Sequence, residues 1–203
     1  MIDRLMKKLE KNGFTPHRRA TGKAAAALVL ELIPEGADVG IGGSETIREL
    51  GLVELLRERG HNVHDHWAAG LTPHQVRAVK DRHLTCDVFL TSTNALTMEG
   101  ALVNTDNTGN RVAAMAYGPG HVIVVAGSNK IVKNVREGID RVGREAAPRN
   151  TRRRGDQTPC AATGVCENCD TPGRLCRVTT ITHRKTRGVG KFSVVIVDES
   201  LGF

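Results

Sequence analysis

Aromatic residues are scarce in this chain of 203 residues. Phe, Trp and Tyr together make up 3% of it, with one Trp and one Tyr. Because proteins that hold single-stranded nucleic acid stack its bases on aromatic rings, this composition disfavours that class. Long hydrophobic runs are also missing. The apolar stretches 24–30 and 122–127 fall far short of the roughly 18 residues that a membrane helix needs, so we expect no membrane partner.

The first residues lack the pattern of a secretory signal. Charged side chains such as Asp3 and Lys7 recur throughout residues 1–11, where a signal peptide would have an apolar segment and a small-residue cleavage site. The sequence therefore predicts a cytoplasmic protein. Because the cytoplasm keeps thiols reduced, we do not expect the five cysteines to form disulfides.

The net charge of +7 is concentrated in one segment. Residues 1–148 hold 19 basic and 17 acidic side chains, whereas residues 149–191 hold 10 basic and 3 acidic ones. Four of the five cysteines lie in this basic segment, and residues 149–177 show no helical or strand periodicity. We expect an α/β domain over 1–148, a cysteine-rich metal loop over 149–177, and C-terminal strands over 178–203 that complete the domain.

Strand-like and helix-like segments alternate along the first 148 residues. Runs of β-branched residues such as 122–126 predict buried strands, and amphipathic segments between them predict helices. This alternation is typical of an α/β fold with a mostly parallel sheet and helices on both faces. We expect a helix over 131–146 to end at Pro148, and segments 178–183 and 192–197 to form a C-terminal β-pair.

Four cysteines, Cys160, Cys166, Cys169 and Cys176, follow the spacing C-x5-C-x2-C-x6-C. The central pair lets two thiolates reach one metal, and the outer cysteines complete four-coordination. A loop without an apolar core would gain its folding energy from that metal. The spacing resembles, in reverse, the [4Fe–4S] loop of endonuclease-III-type glycosylases. Zinc and free thiols remain open as alternatives. Cys86, between a predicted helix and a strand, is expected to be an ordinary buried thiol.

A glycine-rich segment at residues 40–46 lies between a predicted strand and a helix. Glycines there allow a ligand to approach the backbone, and the free N–H groups of the helix start could face an anion. The segment matches neither the dinucleotide-binding nor the Walker pattern. A structural turn with a serine cap remains open, in which Glu45 fills the anion position. The candidate contacts are Gly42, Gly43, Ser44 and Thr46.

A denser polar cluster follows two further predicted strands, at residues 91–94 and 104–111. Because open α/β sheets bind ligands at the carboxyl ends of their strands, we expect a pocket for a small carboxylate, phosphate or sugar-like ligand. Glu99 or Asp106 would be the acid/base group, and Arg111 would clamp a carboxylate. The alternative is a set of Asx turns. The other candidate ligand contacts are Asn94, Asn104, Gly109, Asn110 and Lys130.

Three histidines stand close together at His61, His64 and His66. In an extended segment His64 and His66 would share one face, which can place two imidazoles on a metal. A solvated strand end explains the same pattern, and we favour that interpretation.

The segment 91–111, T-S-T-N-A-L-T-M-E-G-A-L-V-N-T-D-N-T-G-N-R, resembles the LUD-domain, or lactate utilization protein, family. The similarity extends back to the G-G-S-E-T loop and forward through the cysteine block to the closing V-V-I-V-D-E-S-L-G-F. It covers most of the chain, which is similar to a short single-domain subgroup with a C-terminal four-cysteine motif. Lactate-operon relatives of this size lack that motif.

The resemblance implies the NagB/RpiA/CoA-transferase-like α/β fold and a link to the oxidation of lactate to pyruvate beside iron–sulfur partner subunits. In the wider fold group the glycine loop and the strand ends hold phosphates or acyl groups. That supports the same ligand contacts in this chain, namely Gly42, Gly43, Ser44, Thr46, Asn94, Asn110 and Arg111.

Three functions follow for testing. The first is a cytoplasmic metalloprotein of organic-acid metabolism, whose pocket binds a small carboxylate or phosphorylated ligand and whose [4Fe–4S] cluster transfers electrons or fixes the loop. Lacking any flavin or nicotinamide fingerprint, it would be an oxidoreductase component that needs a partner. The second is a non-catalytic regulatory or assembly subunit with a structural zinc. Nucleic-acid binding through the arginines at 152–154 ranks last. The expected partners are a small carboxylate or phosphorylated ligand, an iron–sulfur or flavin subunit, and further copies of the chain.

Overall fold

The structure is a computed structural model that describes residues 2–203, and its centre is a parallel sheet of six strands. The strands lie in the order β1-β10-β7-β4-β2-β3, and every neighbouring pair is parallel. Helices cover both faces, so the predicted α/β fold is confirmed. The strands are β1 (Thr15–Arg19), β2 (Asp38–Ile41), β3 (Asn62–Asp65), β4 (Val88–Ser92), β7 (His121–Gly127) and β10 (Lys191–Val197).

A second, smaller sheet has the order β8-β5-β6-β9. Its strands are β5 (Ala95–Thr97), β6 (Leu102–Asp106), β8 (Ile131–Val132) and β9 (Val178–Thr182). The predicted C-terminal β-pair is wrong, because β9 pairs with β6 here while β10 lies between β1 and β7 in the large sheet. Strand β10 is buried on both faces after its first residue, which suits a central parallel strand, whereas every residue of β9 keeps some exposure.

Nine helices surround the sheets within residues 2–203. They are α1 (Ile2–Lys11), α2 (Gly22–Leu32), α3 (Glu45–Glu49), α4 (Leu52–Glu58), α5 (Pro73–Arg82), α6 (Asn110–Ala116), α7 (Val135–Arg141), α8 (Ala147–Arg154) and α9 (Pro159–Thr163). Alternate residues of β10 divide the core between the two faces. Val195 and Val197 pack with α2, α3 and α4, whereas Phe192, Val194 and Ile196 pack with α1, α6 and the small sheet. Each such buried side chain contributes about 1.5–3 kcal/mol.

Helices α7 and α8 form one continuous helical segment, joined by a π-helical turn at Val142–Ala146. The prediction that this helix ends at Pro148 is wrong. The Ala147 N–H donates five residues back to the Val142 carbonyl, and Pro148 then occupies the first turn of α8, where a missing N–H costs least. The helix ends instead at Gly155, which has a φ of 72°. It thereby crosses the domain boundary expected after residue 148.

The cysteine loop, residues 155–177, contains the short helix α9 and otherwise no regular secondary structure. Its end leads directly into β9 of the small sheet. In residues 2–203, no helix combines the length and apolarity needed to cross a membrane.

Candidate functional site

A cavity of about 420 Å³ opens at the carboxyl edge of the large sheet. The segments that follow β2, β3, β4 and β7 line it, together with the end of β6 and the start of α6. This is the edge at which open α/β sheets bind ligands. Among its charged lining residues, five are cations and two are carboxylates. The cations are Lys80, Arg111, Lys130, Arg153 and Arg154, and the carboxylates are Glu45 and Asp106.

Lys130 lies at the floor of the cavity and is 3% exposed. Its Nζ donates to Thr46 Oγ1 at 2.8 Å and to Ser92 Oγ at 2.9 Å. The two hydroxyls donate in turn to backbone carbonyls, Thr46 to Leu201 and Ser92 to Thr93, each at 3.4 Å. Both hydroxyl oxygens therefore act as acceptors toward the amine, and two of its hydrogens have fixed partners.

The charge of Lys130 is poorly compensated. Burial lowers its pKa to about 7, and the nearby cations Arg141 and Arg111 act in the same direction, against the smaller opposing effect of Glu49. In the part of the chain that the structure describes, Lys130 forms no ion pair with a carboxylate. The floor of the cavity thus carries an amine that, because it is buried, favours the neutral form far more than an exposed lysine would.

Arg111 forms the wall beside this floor. Its Nε donates to Asp106 Oδ1 at 2.8 Å, and its Nη2 donates to Asn94 Oδ1 at 2.9 Å and to the Thr105 carbonyl at 3.0 Å. Nη1 contacts the Ser92 carbonyl at 3.4 Å. Four of the five N–H groups of the guanidinium are therefore engaged within the protein. Arg111 ties β4 to β6 and leaves one donor for a ligand.

The mouth of the cavity is built around Trp67, which follows β3. Its ring lies between two guanidinium groups, with Arg153 at 4.2 Å and Arg48 at 4.7 Å from the ring centre. Arg153 also pairs with Glu45 at 3.0 Å. The ring explains why residue 43 is a glycine, because a Cβ at that position would come within 2.8 Å of the indole.

Two further titratable groups line the mouth. Lys80 donates to Thr108 Oγ1 at 3.3 Å, and burial followed by the charge of Arg154 lowers its pKa. Burial lowers the pKa of His66 to about 4, so that its ring is neutral at neutral pH. Lys80 forms no ion pair within residues 2–203, so the mouth, like the floor, carries a cation without a carboxylate partner.

The four cysteines of the loop are free thiols in one neighbourhood. Burial raises the pKa of Cys176, and the nearby Cys166, Cys160 and Cys169 contribute to that rise. In residues 2–203, no three Cys, His, Asp or Glu side chains converge closely enough to hold a metal ion.

Two polar groups near these thiols could stabilise negatively charged sulfur. Cys160 Sγ lies 3.4 Å from Thr158 Oγ1, within hydrogen-bond reach of that hydroxyl. Arg174 donates to the carbonyls of Cys169 at 2.7 Å and of Cys176 at 2.9 Å. A guanidinium among the four cysteines would offset thiolate charge. Leu175 and Cys176 also line the cavity, so the loop forms part of its wall.

Comparison with known proteins defines the family. The model of the LUD domain matches residues 2–197. The chain belongs to the LUD-domain family. Its fold is similar to the crystal structure, at 1.70 Å resolution, of a DUF162 family protein from Deinococcus radiodurans, with a TM-score of 0.57 and 16% identity over 97% of this chain and 95% of that one. At this identity the likeness shows the fold alone. No curated protein matches this LUD-domain chain.

The structure brings most of the expected ligand contacts of this LUD-domain protein to one cavity, and it separates four of the expected site residues from it. The residues that line the cavity are Gly43, Ser44, Thr46, Asn94, Asp106, Asn110, Arg111 and Lys130. Ser44 also caps α3, accepting from the Ile47 N–H at 3.4 Å. Glu45, in the first turn of α3, pairs with Arg153 at 3.0 Å.

The four residues outside the cavity are Glu99, Gly42, Asn104 and Gly109. Glu99 lies in the exposed turn between β5 and β6, at the far end of β5 from Asn94, so its carboxylate cannot act in the cavity as expected. Gly42 packs against β4, where a Cβ would come within 2.5 Å of the Thr91 hydroxyl. Asn104 is fully buried and accepts from the Asn94 N–H at 3.2 Å. Gly109 is the residue before α6, with a φ of 85°.

Sequence reasoning missed Trp67, Lys80 and Arg153 as lining residues of the LUD-domain cavity. Trp67 had a usable signal, because it follows the predicted strand at residues 62–66 and strand ends of a parallel sheet share one edge. Lys80 and Arg153 lie on helices α5 and α8, where a charged residue by itself indicates only a solvated face.

The three arginines at 152–154 all contact other parts of this chain. Arg152 donates to the Ala161 carbonyl, Arg153 pairs with Glu45, and Arg154 donates to Asp156. These contacts hold α8 against the cavity mouth and the start of the cysteine loop.

The three histidines do not converge on one point. His64 Nε2 lies 3.4 Å from Asp38 Oδ2, whereas His66 packs in the cavity lining with its ring centre 5.3 Å from that of His83. His61 is buried elsewhere in the turn before β3. Cys86 is buried as expected, and burial raises its pKa to about 11.

Proposed function

We propose that this LUD-domain protein binds a small carboxylate or phosphorylated metabolite in the cavity, in organic-acid metabolism of the lactate-utilization type. Family membership supports a role related to lactate utilization. The observation that carries the proposal is Lys130, a buried amine at the cavity floor with no carboxylate partner in residues 2–203. A buried ammonium without a counter-charge is costly, and an anionic ligand would supply the missing charge.

The rest of the cavity favours the same class of ligand. Its lining residues include five cations against two carboxylates, and both carboxylates already pair with an arginine. Lys80 at the mouth adds a second unpaired cation. A volume of about 420 Å³ lies at the small end of the range typical of metabolite pockets.

We also propose that Cys160, Cys166, Cys169 and Cys176 hold a [4Fe–4S] cluster, with a structural zinc as the alternative. Four sulfur donors on one loop, a nearby hydroxyl and the guanidinium of Arg174 support either centre. Binding would require the four thiols to draw closer together than they are in this structure. When bound, the cluster would supply one-electron transfer, whereas zinc would only fix the loop. The protein would then be a cytoplasmic oxidoreductase component with an iron–sulfur or flavin partner subunit, or a non-catalytic regulatory or assembly subunit if the metal is zinc.

The binding proposal is tested by titrating lactate, pyruvate and inorganic phosphate into the full chain by calorimetry. Lys130→Met should weaken binding of the preferred anion about tenfold or more, since it removes a charge-assisted hydrogen bond. Lys133→Met is the matched control, because that side chain is 85% exposed and lies outside the cavity. Absence of binding by every anion, or equal affinity in Lys130→Met, would overturn the proposal.

The metal proposal is tested by anaerobic purification with metal analysis and a visible spectrum. Four irons with labile sulfide would establish the cluster, and one zinc without colour would establish the structural alternative. A colourless protein without bound metal would overturn both.

A further inference from the structure

We propose that Lys130 is the reacting group of the cavity and that its Nζ forms an imine with the carbonyl carbon of a 2-oxo acid. The inference rests on the proposed function, because it needs a cavity that binds small carboxylates. It goes further by naming the atom that reacts and the class of compound it reacts with.

The first support is the hydrogen-bond geometry around Nζ. Thr46 and Ser92 direct their own hydroxyl hydrogens to backbone carbonyls, so each accepts one hydrogen from the amine. Besides its bond to carbon, the nitrogen then has one position left. That position holds a third hydrogen in the ammonium form and a lone pair in the neutral form. Lys130 lines the cavity, and the imine requires this remaining position to face a molecule bound there.

The second support is the set of charges around the amine. The nearby cations Arg141 and Arg111 disfavour the charged form of the amine, and Glu49 opposes them with a smaller effect. Lys130 forms no ion pair in residues 2–203. A lysine that serves only to hold the fold gains from staying charged beside a carboxylate. This lysine is 3% exposed without one, and burial favours the neutral, nucleophilic form.

The chemistry balances without an oxidant or a reductant. The lone pair of Nζ attacks the carbonyl carbon, and a C–N bond forms while the π electrons of the carbonyl move to its oxygen. That oxygen leaves as water with the two amine hydrogens, and a C=N bond remains. A 2-oxo acid suits the site because its carboxylate would meet the cationic lining while its carbonyl meets the amine.

The test traps the imine in the full-length protein. The chain is incubated with pyruvate and cyanoborohydride, and the product is analysed by intact mass and peptide mapping. We expect one adduct on Lys130 that requires both reagents. Its added mass should be that of pyruvic acid less one oxygen atom, because the carbonyl oxygen leaves as water before the C=N bond is reduced. Lys130→Arg keeps the charge but cannot form an imine, and it should lose the adduct at least about tenfold if Lys130 is the reacting amine. Lys133→Arg should keep it in full.

Each outcome decides between the proposals. An adduct spread over exposed lysines, or one that survives in Lys130→Arg, would overturn the imine. Pyruvate that binds in calorimetry but is never trapped would overturn the imine and leave the proposed function standing. No binding by any carboxylate or phosphate would end both. If Lys130→Arg fails to fold, peptide mapping of the protein without any substitution still shows which lysine carries the adduct.

Discussion

The cavity and the cysteine loop adjoin each other, yet they are held together in different ways. The cavity depends on contacts between distant parts of the chain, such as Lys130 with Thr46, 84 residues apart, and Lys130 with Ser92, 38 residues apart. The loop depends on short-range contacts, such as Arg174 with the carbonyl of Cys169, five residues away. Because local contacts can break without disturbing the sheets, the loop can open while the part of the cavity built on the large sheet stays formed.

The loop has few attachments to the core. Cys160 is 8% exposed and packs against α8, and the Arg177 N–H donates to the Asp106 carbonyl at 3.0 Å where β9 begins. Between these points Cys166 is exposed and Cys169 is partly exposed. The comparison indicates that the sheet side of the cavity is preformed by the fold, whereas order in the loop, and in the part of the wall that it supplies, would come from a bound metal.

The largest difference in stability is expected between two arginine variants, one in the cavity and one in the loop. Arg111 and Arg174 both donate to backbone carbonyls. Arg111→Met should destabilise the protein by about 3–5 kcal/mol, because it leaves the carboxylate of Asp106, 8% exposed, buried without its partner. Arg174→Met should cost less than about 1 kcal/mol of global stability, since its contacts lie within the loop. Urea denaturation of both variants measures the difference. Equal losses of stability would show that the loop and the cavity unfold as one unit.

A smaller effect of opposite sign is expected from Lys130→Met. The pKa of Lys130 is about 7 in the folded protein and near 10.5 when unfolded, so the penalty for burying the ammonium is complete below pH 7 and fades as the pH rises to 10.5. The full pKa shift corresponds to a burial penalty of about 5 kcal/mol, which Lys130→Met removes. The substitution also removes the hydrogen bonds to Thr46 and Ser92, so the net gain in stability is smaller. We expect the variant to be more stable by about 2 kcal/mol at pH 6.

The measurement is the free energy of unfolding of both proteins from pH 6 to pH 10. The neighbouring charges of Arg111, Arg141 and Glu49 are the same in both proteins. The advantage of Lys130→Met should therefore shrink steadily above pH 7. An advantage that does not depend on pH would mean that Lys130 keeps its ordinary pKa in the folded protein.

The smallest effect on global stability is expected from Cys166→Ser. This side chain is exposed, so the substitution should change the free energy of unfolding of the sheets by less than about 0.5 kcal/mol. If the proposed metal centre is correct, it should also abolish metal binding and raise hydrogen exchange across residues 155–177. Full metal content in the variant would show that the four cysteines are not the ligands.

The regular part of the fold could be read from short stretches of sequence. The β-branched run at 122–126 is buried throughout in β7, and the polar residues after β4 and at the end of β6 line the cavity. Both predictions rest on local patterns with a direct physical cause, since a central parallel strand must be apolar on both faces and strand ends share one edge.

Other predictions failed because the deciding contact is distant. Strand β10 lies between β1 and β7 inside the large sheet, and β9 lies at the edge of the small sheet beside β6, so the partners of both strands are distant in the chain. Pro148 ends a regular α-helix but not one that contains a π-helical turn just before it. Glu99 is close to Asn94 in sequence, but strand β5 carries it away from the cavity.

The sequence by itself determined the α/β class, the family and the edge of the sheet at which polar groups gather, because these follow from local periodicity and motif. Only the tertiary structure decided what each polar group does there. Arg111 became a wall because Asp106, Asn94 and two carbonyls surround its guanidinium. Lys130 became a buried amine with a lowered pKa because elements far apart in the chain enclose it and offer it two hydroxyls, with no ion pair to a carboxylate in residues 2–203. Burial and hydrogen-bond partners are properties of the folded chain, and they set the chemistry of a side chain that the sequence can only name.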